Sequence, residues 1–379
     1  MPTNIGLSLF MNEIRDQIHA LEPTAKVDVS SFTSFGDDIK KMGRKDPFYN
    51  AVVMTNYKFA IDMIALKETG PDLIVDDDTY KAGLKTIYFE AYDDVYTDDD
   101  AFRPQEGGNP NPFVHHKMKA YEHIFSNWDD LGFHYTLPTM QVNKALDDES
   151  QFVAFMSGQI LALTNKMTDI KNTLKRTAIA TAIARVFRDG TESQKINVLG
   201  EYNDATNAGL TLASCQRELD YLIFLAMTIS DTKTYMMDAR VDYNEEGAVI
   251  GAEDVKVVLL KKWDSLIKYN MRSKVYHEEL VATGDYSTVN FWQSAKTPES
   301  INIVVDPVTE EVPEPEPIVI NNVIGILYEE KAIRGTLVWE QQAEIFNPKS
   351  LTREVYNHYS RGQYIKPYMP KVILYNAEG

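Results

Sequence analysis

The sequence predicts an α+β fold on three observations. There is a helical stretch of about forty residues with no proline inside it, two strand-like runs bracket a turn-rich excursion, and buried-type strands alternate with shorter helices in the later half. In chain order, residues 1 to about 80 alternate short helical pieces with the polar connections "SSFTSFGDDIKKMGRKDPFYN" and "LKETGPDLIVDDDTYKAG", and read as an extended arm more than as a domain. "GLKTIYFEAY", Gly83 to Tyr92, has the aromatic and β-branched content of a strand. "DDVYTDDDAFRPQEGGNPNP" then strings acids, glycines and prolines together as turns. "FHYTLPTMQV", Phe133 to Val142, reads as the returning strand. A loop of about forty residues between two strands is uncommon in a compact domain, and such loops usually reach for something.

The long helix opens in "ALDDESQFVAFMSGQILALTNKM", Ala145 to Met167. Asp147, Asp148 and Glu149 put negative charge where free backbone N–H groups and the helix dipole favour it, and Asp147 is a good N-cap. Met156, Ile160, Leu163, Met167, Ile170 and Leu174 repeat at four and three residues, and Ile179, Ile183 and Val186 continue after a small rotation of the stripe. Gly158 costs only about 1 kcal/mol, and the pattern runs on to Gly190. At 1.5 Å per residue the helix is roughly 60 Å long, too long to lie inside one small globule.

After Gly190, "LASCQRELDYLIFLAMTISDT" predicts a second helix from Leu212 to about Ile229, and in "AEDVKVVLLKKWDSLIKYN" the strand "VKVVLL" feeds a short helix. "INIVVD" and "NNVIGILYEEKAI" are further buried-type strands. The "PVTEEVPEPEP" between them suits neither a helix interior nor a central strand, so an exposed extended loop is expected. The tail alternates like strand material to its end, and no internal repeat is present.

Composition narrows the function. The 379 residues carry 38 Lys plus Arg against 56 Asp plus Glu, a formal charge of −18, which argues against a surface built to grip nucleic acid or anionic lipid and favours protein partners. Cys215 is the single cysteine, so the fold uses no internal disulfide, suits a reducing compartment and reads as ordinary packing. The first thirty residues lack the pattern of a secretory signal, and the longest apolar runs fall well short of the ~20 residues of a membrane span. A soluble, unexported chain is expected.

The sharpest ligand-like match is "DYNEEGAVIGAE", where Asp242, Asn244, Glu246, Gly247 and Glu253 fall at positions 1, 3, 5, 6 and 12 of an EF-hand-type calcium loop. Against calcium, position 5 is the long Glu, a strand follows where a helix is required, and "YNEEGAVI" makes a hairpin turn on its own. His115, His116 and His123 could share a helix face as metal ligands, but no cysteine or HExxH spacing joins them and an exposed loop is the simpler reading. The runs Asp76 to Asp78 and Asp98 to Asp100 are expected to be solvated or paired with another chain's lysines. There is no phosphate-cradling glycine loop, no nucleophile elbow and no Cys/His pair, so no active site, metal site or cofactor is expected. "YNHYSRGQYIKPY" sets Tyr356, Tyr359, Tyr364 and Tyr368 beside Arg361 and Lys366, a composition shared by protein contacts and by tyrosine-rich cores.

Read in order, these segments resemble a tailed-bacteriophage major capsid protein of the Hong Kong 97-like fold, closest to the podophage type, over almost the whole chain from about Asp46. "DPFYNAVVMTNYKFAI" is similar to the segment after the family's N-terminal arm. "GLKTIYFEAYDDVY" followed by "HHKMKAYEHIFSNWDDLGFHYTLPTMQVNKALDDESQFVAFMSGQI" resembles the extended hairpin, or E-loop, its return strand and the start of the spine helix. "YNEEGAVIGAEDVKVVLLKKWDSLIKYN" and "NVIGILYEEKAIRGTLVWEQQAEIFNP" look like the axial (A) domain and the return to the peripheral (P) domain. The resemblance implies an arm over 1–80, the E-loop over 81–144, a P domain over 145–250 with the spine helix at 147–188, an A domain over 251–334, and a return to the P domain over 335–379.

It further implies a structural protein without enzymatic activity that assembles as pentamers and hexamers into an icosahedral head. E-loops would lap onto neighbours, and the spine-helix stripe would pack on the subunit's own P-domain sheet. The implied partners are copies of itself, a separate scaffolding protein, the portal, and double-stranded DNA enclosed without sequence-specific binding; the implied place is the virion, after assembly in the host cytoplasm. Some members of the family cross-link a lysine to an asparagine, and although Lys117 and Lys119 lie in the loop, nothing identifies a partner. The candidate contact residues are Lys117, Lys119, Tyr356, Tyr359, Arg361 and Tyr364. A bacterial nanocompartment shell shares the expected fold, and a calcium-binding or hydrolytic domain resting on the carboxylates is the remaining alternative.

Overall fold

The structure, a computed structural model, describes residues 7–66, 73–75, 84–89, 120–125, 128–238, 241–246, 248, 250–274, 286–305 and 316–378. The first part of the chain holds α1 (Leu7–Leu21), α2 (Phe32–Lys41), α3 (Asp46–Leu66), β1 (Ile74–Val75), β2 (Leu84–Phe89), β3 (Ala120–Phe125), β4 (Trp128–Pro138), α4 (Thr139–Ala145) and the 41-residue α5 (Glu149–Asp189). After it come β5 (Lys195–Asn197), α6 (Val198–Thr206), α7 (Leu219–Met237), β6 (Val255–Leu260), α8 (Lys261–Lys274), β7 (Ser287–Val289), β8 (Ile301–Ile303) and β9 (Ile318–Ile320). The chain ends in β10 (Val323–Glu329), β11 (Ile333–Asn347), β12 (Thr352–Ile365) and β13 (Lys371–Tyr375). Two compact units form, one from Met1–Thr69, Asp129–Leu174 and Leu337–Arg361, the other from Gly70–Trp128, Lys175–Thr336 and Gly362–Gly379. Each is discontinuous in sequence because α5, β11 and β12 each contribute residues to both.

In the first unit, α1, α2 and α3 are packed helices where the sequence suggested an extended arm. Ser31 caps α2, its hydroxyl accepting from the Ser34 N–H at 3.1 Å. Phe10, Met11, Ile14 and Ile18 of α1 meet Phe35 and Ile39 of α2, Phe48 and Val52 of α3, and Phe152, Met156 and Ile160 of α5 in one core. None of these stripes can bury itself alone, and each finds its cover in the others.

The long helix begins one residue later than an Asp147 cap suggests. Asp148 is the residue that caps it: its carboxylate accepts from the Ser150 hydroxyl at 2.6 Å and from the backbone N–H groups of Ser150 and Gln151, which hold it below the usual carboxylate range. Asp147 instead pairs with Lys40 at 2.7 Å. The stripe changes neighbours along its length. Phe152 to Ile160 meet the N-terminal helices together with Leu137 and Val355 of the sheet, so the cover extends beyond the sheet that was expected to take it. Leu163 and Met167 pack with Ala60 beside Phe133, Tyr135 and Trp339. From Ala178 to Val186 the helix lies in the second unit's core, with Ala178, Ala180, Ala182 and Ala184 buried, small residues that let neighbours close around it.

Strand pairing also departs from expectation. β2 pairs antiparallel with β3 from Leu84↔Phe125 to Phe89↔Ala120, whereas β4, which covers most of the expected return strand, lies beside β12 at the edge of a four-stranded sheet ordered β1-β11-β12-β4. The second unit is built on a five-stranded sheet ordered β5-β13-β10-β6-β7. Its central strand, "VIGILYE", is buried at every position, as a strand covered on both faces must be. Gly325 sits where β10 crosses β6, and a Cβ there would lie 2.7 Å from the Val258 carbonyl oxygen and 2.5 Å from Leu259 Cδ2. Gly325→Ala is expected to cost about 1–3 kcal/mol, read as a lower Tm at unchanged helix content. A wild-type melt would show that β6 gives way freely.

The second helix of the later half, α7, starts seven residues after Leu212. Thr211 and Ser214 explain the delay: the Thr211 N–H donates to Ser214 Oγ at 2.8 Å, and such side-chain bonds hold the backbone in turns. Cys215 is buried there, and burial pushes its thiol pKa up to about 11, which suits packing over reactivity. β8 and β9 pair antiparallel; residues 306–315 of the Pro and Glu run between them lie outside the described residues.

Candidate assembly surfaces

The base of the β2–β3 hairpin is fastened to the second unit through alternate residues of one strand face. His123 stacks on Tyr368 at 5.9 Å between ring centroids and 23° between planes, and Phe125 meets Tyr364 edge-on at 5.6 Å and 83°. His123 Nε2 lies 2.9 Å from Glu246 Oε1 and 3.1 Å from Oε2. Period-two alternation puts positions 123 and 125 on the same side, so the strand that pairs with β2 also carries the anchor. The hairpin's connection, residues 90–119, lies outside the described residues, and so do Lys117, Lys119, His115, His116 and the runs Asp76 to Asp78 and Asp98 to Asp100.

The same contacts place the calcium-loop residues. Asn244 is buried and closes its own turn, accepting from the Ala248 N–H at 2.8 Å and donating to the Ala248 carbonyl at 2.7 Å. Glu246 faces His123, and Glu253 pairs with Lys331 at 2.8 Å. Asp242 is exposed in a short 3-10 turn, and its backbone carbonyl accepts from the Thr191 hydroxyl at 2.5 Å. Glu246 and Glu253 face separate partners and do not converge, and among the described residues no three His, Cys, Asp or Glu side chains are placed to hold a metal ion. Glu245, which the motif skips, pairs with the wholly buried Lys371 at 3.1 Å, and burial lowers that lysine's pKa.

Of the tyrosine cluster, Tyr359, Tyr364 and Tyr368 are buried within the subunit, Tyr359 against Trp339 at 5.2 Å. Tyr356 is half-buried beside His134 at 5.8 Å, and Arg361 is partly exposed with Asp129 Oδ2 at 3.4 Å. Tyr356 and Arg361 therefore keep surface to offer a neighbour, whereas Tyr359 and Tyr364 offer almost none.

A surface that periodicity does not reveal surrounds the turn between β11 and β12. Met140 is 68% exposed, Ile345 61%, Leu351 47% and Phe346 44%. Leu351 adopts φ 52°, and its carbonyl accepts from both the Thr139 hydroxyl at 2.7 Å and the Thr139 N–H at 3.3 Å, which ties the start of α4 to this turn. Clustered exposed apolar side chains mark contact sites more often than isolated ones do. The sequence cue is "NPKS", a turn signal between two long strands. Behind the turn, Arg353 is 3% exposed, with ion pairs to Asp46 and Glu344.

No helix among the described residues is long and apolar enough to cross a membrane. No protein-family model matches the sequence, and neither does any curated protein. Solved structures do match. A chain of the structure described as head fiber and inner core protein gp22 of native bacteriophage P68 aligns with a TM-score of 0.52 at 11% identity, covering 82% of this chain and 85% of that one. A chain of the Staphylococcus phage Andhra capsid structure aligns at 0.47 and 10% identity, covering 82% of each. One from the Cyanophage P-SCSP1u capsid aligns at 0.42 and 14%, covering 81% of this chain and 86% of that one. With its long helix, paired hairpin base and five-stranded sheet flanked by helices, the chain has a Hong Kong 97-like α+β fold, shared with the aligned chain of the bacteriophage P68 structure.

Proposed function

We propose that the protein is a major capsid protein that assembles as pentamers and hexamers into the icosahedral head of a tailed bacteriophage. The fold carries this reading. In it α5 is the spine helix, the β2–β3 hairpin is the root of an E-loop that laps onto a neighbour, and β6, β7 and β10 with α8 belong to the axial domain over 251–334. The protein is structural, not enzymatic. Tyr356, Arg361, Lys117 and Lys119, together with the apolar surface around Met140 and Leu351, are the contact candidates. Many contacts of moderate strength add up around a closed shell, so each can remain weak enough to reverse an error while the whole is stable. A charge of −18 suits a wall that encloses double-stranded DNA without gripping it. A separate scaffolding protein and a portal complete the assembly.

Gel filtration and negative-stain microscopy of the expressed protein, alone and with its scaffold, test the reading. Rings, sheets or closed shells are expected, and particles from infected cells should contain double-stranded DNA. A compact, calcium-responsive monomer that never assembles under either condition would refute it, and shells filled with protein cargo would identify a nanocompartment instead.

A further inference from the structure

We propose that the cleft at the C-terminal end of β13 seats an arginine side chain presented by a basic partner protein. Every residue that lines this cleft belongs to the second unit.

The cleft holds about 290 Å³, and its wall runs from Phe187 of α5 and Leu212 through the Asn321–Asn322 turn between β9 and β10 to Tyr375 and Glu378. Ligand clefts commonly enclose ~300–1,000 Å³, so this one has room for one long side chain and little more. Phe187 and Tyr375 meet edge-on, 5.9 Å between ring centroids at 81°, and both keep part of their surface open. An open aromatic face attracts a cation, and a planar one can stack on it. Glu378 is exposed and accepts from the Leu212 N–H on Oε1 at 2.9 Å. That bond fixes the carboxylate at the wall and leaves Oε2 without a partner among the described residues. The side-chain amides of Asn321 and Asn322 add further acceptor oxygens to the lining.

Charge decides the occupant. Burial raises the Tyr375 phenol pKa, and the nearby charges of Glu192 and Glu201 raise it further. With Glu378 these carboxylates make the cleft's surroundings negative, and no lysine or arginine is among the described lining residues. Arg188, next to Phe187, is held by Asp189 at 2.7 Å, and Lys195 on the neighbouring strand pairs with Ile373, two residues short of Tyr375. An anion is therefore disfavoured, and a wholly apolar side chain would leave the Glu378 oxygen unmatched. A guanidinium suits the set, since its plane can lie against an aromatic face while its fork donates to Glu378 Oε2 and to the asparagine oxygens. An ammonium meets the charge without the stacking. The source is a different protein, because copies that each carry −18 repel one another at long range whereas a basic chain is drawn in.

Ligand-observed NMR on the full chain tests it. N-acetyl-arginine amide at millimolar concentration should receive saturation from the protein, N-acetyl-lysine amide less, and N-acetyl-glutamine amide none. Glu378→Gln keeps an oxygen for the Leu212 N–H but removes the charge, and should weaken arginine binding about fivefold. Val319→Trp, at a lining position that is 55% exposed, should fill the cleft and abolish binding. Both changes lie on the surface and should keep the wild-type melt. Loose attraction to the protein's 56 acids would barely notice the loss of one, so unchanged binding by Glu378→Gln overturns the proposal. Binding that survives Val319→Trp, equal signals from the arginine and glutamine probes, or no signal with wild type overturns it as well. Gel filtration decides the source: both variants should self-associate as wild type does, and a loss of self-association would assign the arginine to a second copy and overturn the partner named here.

Discussion

Replacing residues 90–119 by Asn-Gly is expected to leave a soluble, folded subunit that no longer forms shells. Phe89 and Ala120 are paired, so a two-residue turn joins them at the spacing a tight hairpin requires. The anchor that fastens the hairpin, His123 on Tyr368 and Phe125 on Tyr364, lies below the cut and survives it. Circular dichroism and the thermal melt should therefore match wild type, while light scattering and microscopy should show arrest at monomers or single capsomers. Removing Gln105 to Phe125 is a poorer experiment, because it deletes β3 and its anchor together with the loop. Closed shells of normal size from the Asn-Gly variant would contradict the lapping role.

Arg353→Ala is expected to destabilise the first unit by about 3–5 kcal/mol, a fall in Tm on the order of 10 °C. The guanidinium donates to Asn50 Oδ1 at 2.8 Å and Glu344 Oε1 at 2.5 Å, pairs with Asp46, and lies 4.9 Å from the Tyr49 ring centroid and 5.6 Å from that of Phe346. Burial already raises the Glu344 carboxyl pKa, and Arg353 opposes that rise. Removing the arginine strands the carboxylate. Arg353→Lys should recover little, since an ammonium cannot fork between partners while stacking on two rings. Combining Arg353→Met with Glu344→Gln should cost less than Arg353→Ala, because no partly buried charge is left alone. A melt of Arg353→Ala within a degree or two of wild type would mean that the cluster adds no net stability.

How far the fold was legible follows from which forces are local. The α5 helix, the "VKVVLL" strand feeding α8 and the run "VIGILY" of β10 are written in periodicity, the lack of proline and acidic caps, all of which act within a few residues. Even the error at its start is local, because Asp147 and Asp148 are equally good caps and Lys40, from a distant helix, takes the first. The partner of β2 was not legible. "AYEHIF" and "FHYTLP" both alternate, and only register and cover decide that the first pairs with β2 while the second joins β12.

By itself the sequence determined the α+β class, the helix too long for one globule, the lone buried cysteine and the acidic balance. Tertiary structure alone decided that the N-terminal helices share a core with the start of α5, that Tyr359 and Tyr364 turn inward while Met140 and Ile345 stay outside, and that Glu246 and Glu253 face His123 and Lys331 instead of one another. The reason is physical. Periodicity says which side of an element is apolar, but burial and charge pairing depend on what another element brings to that side.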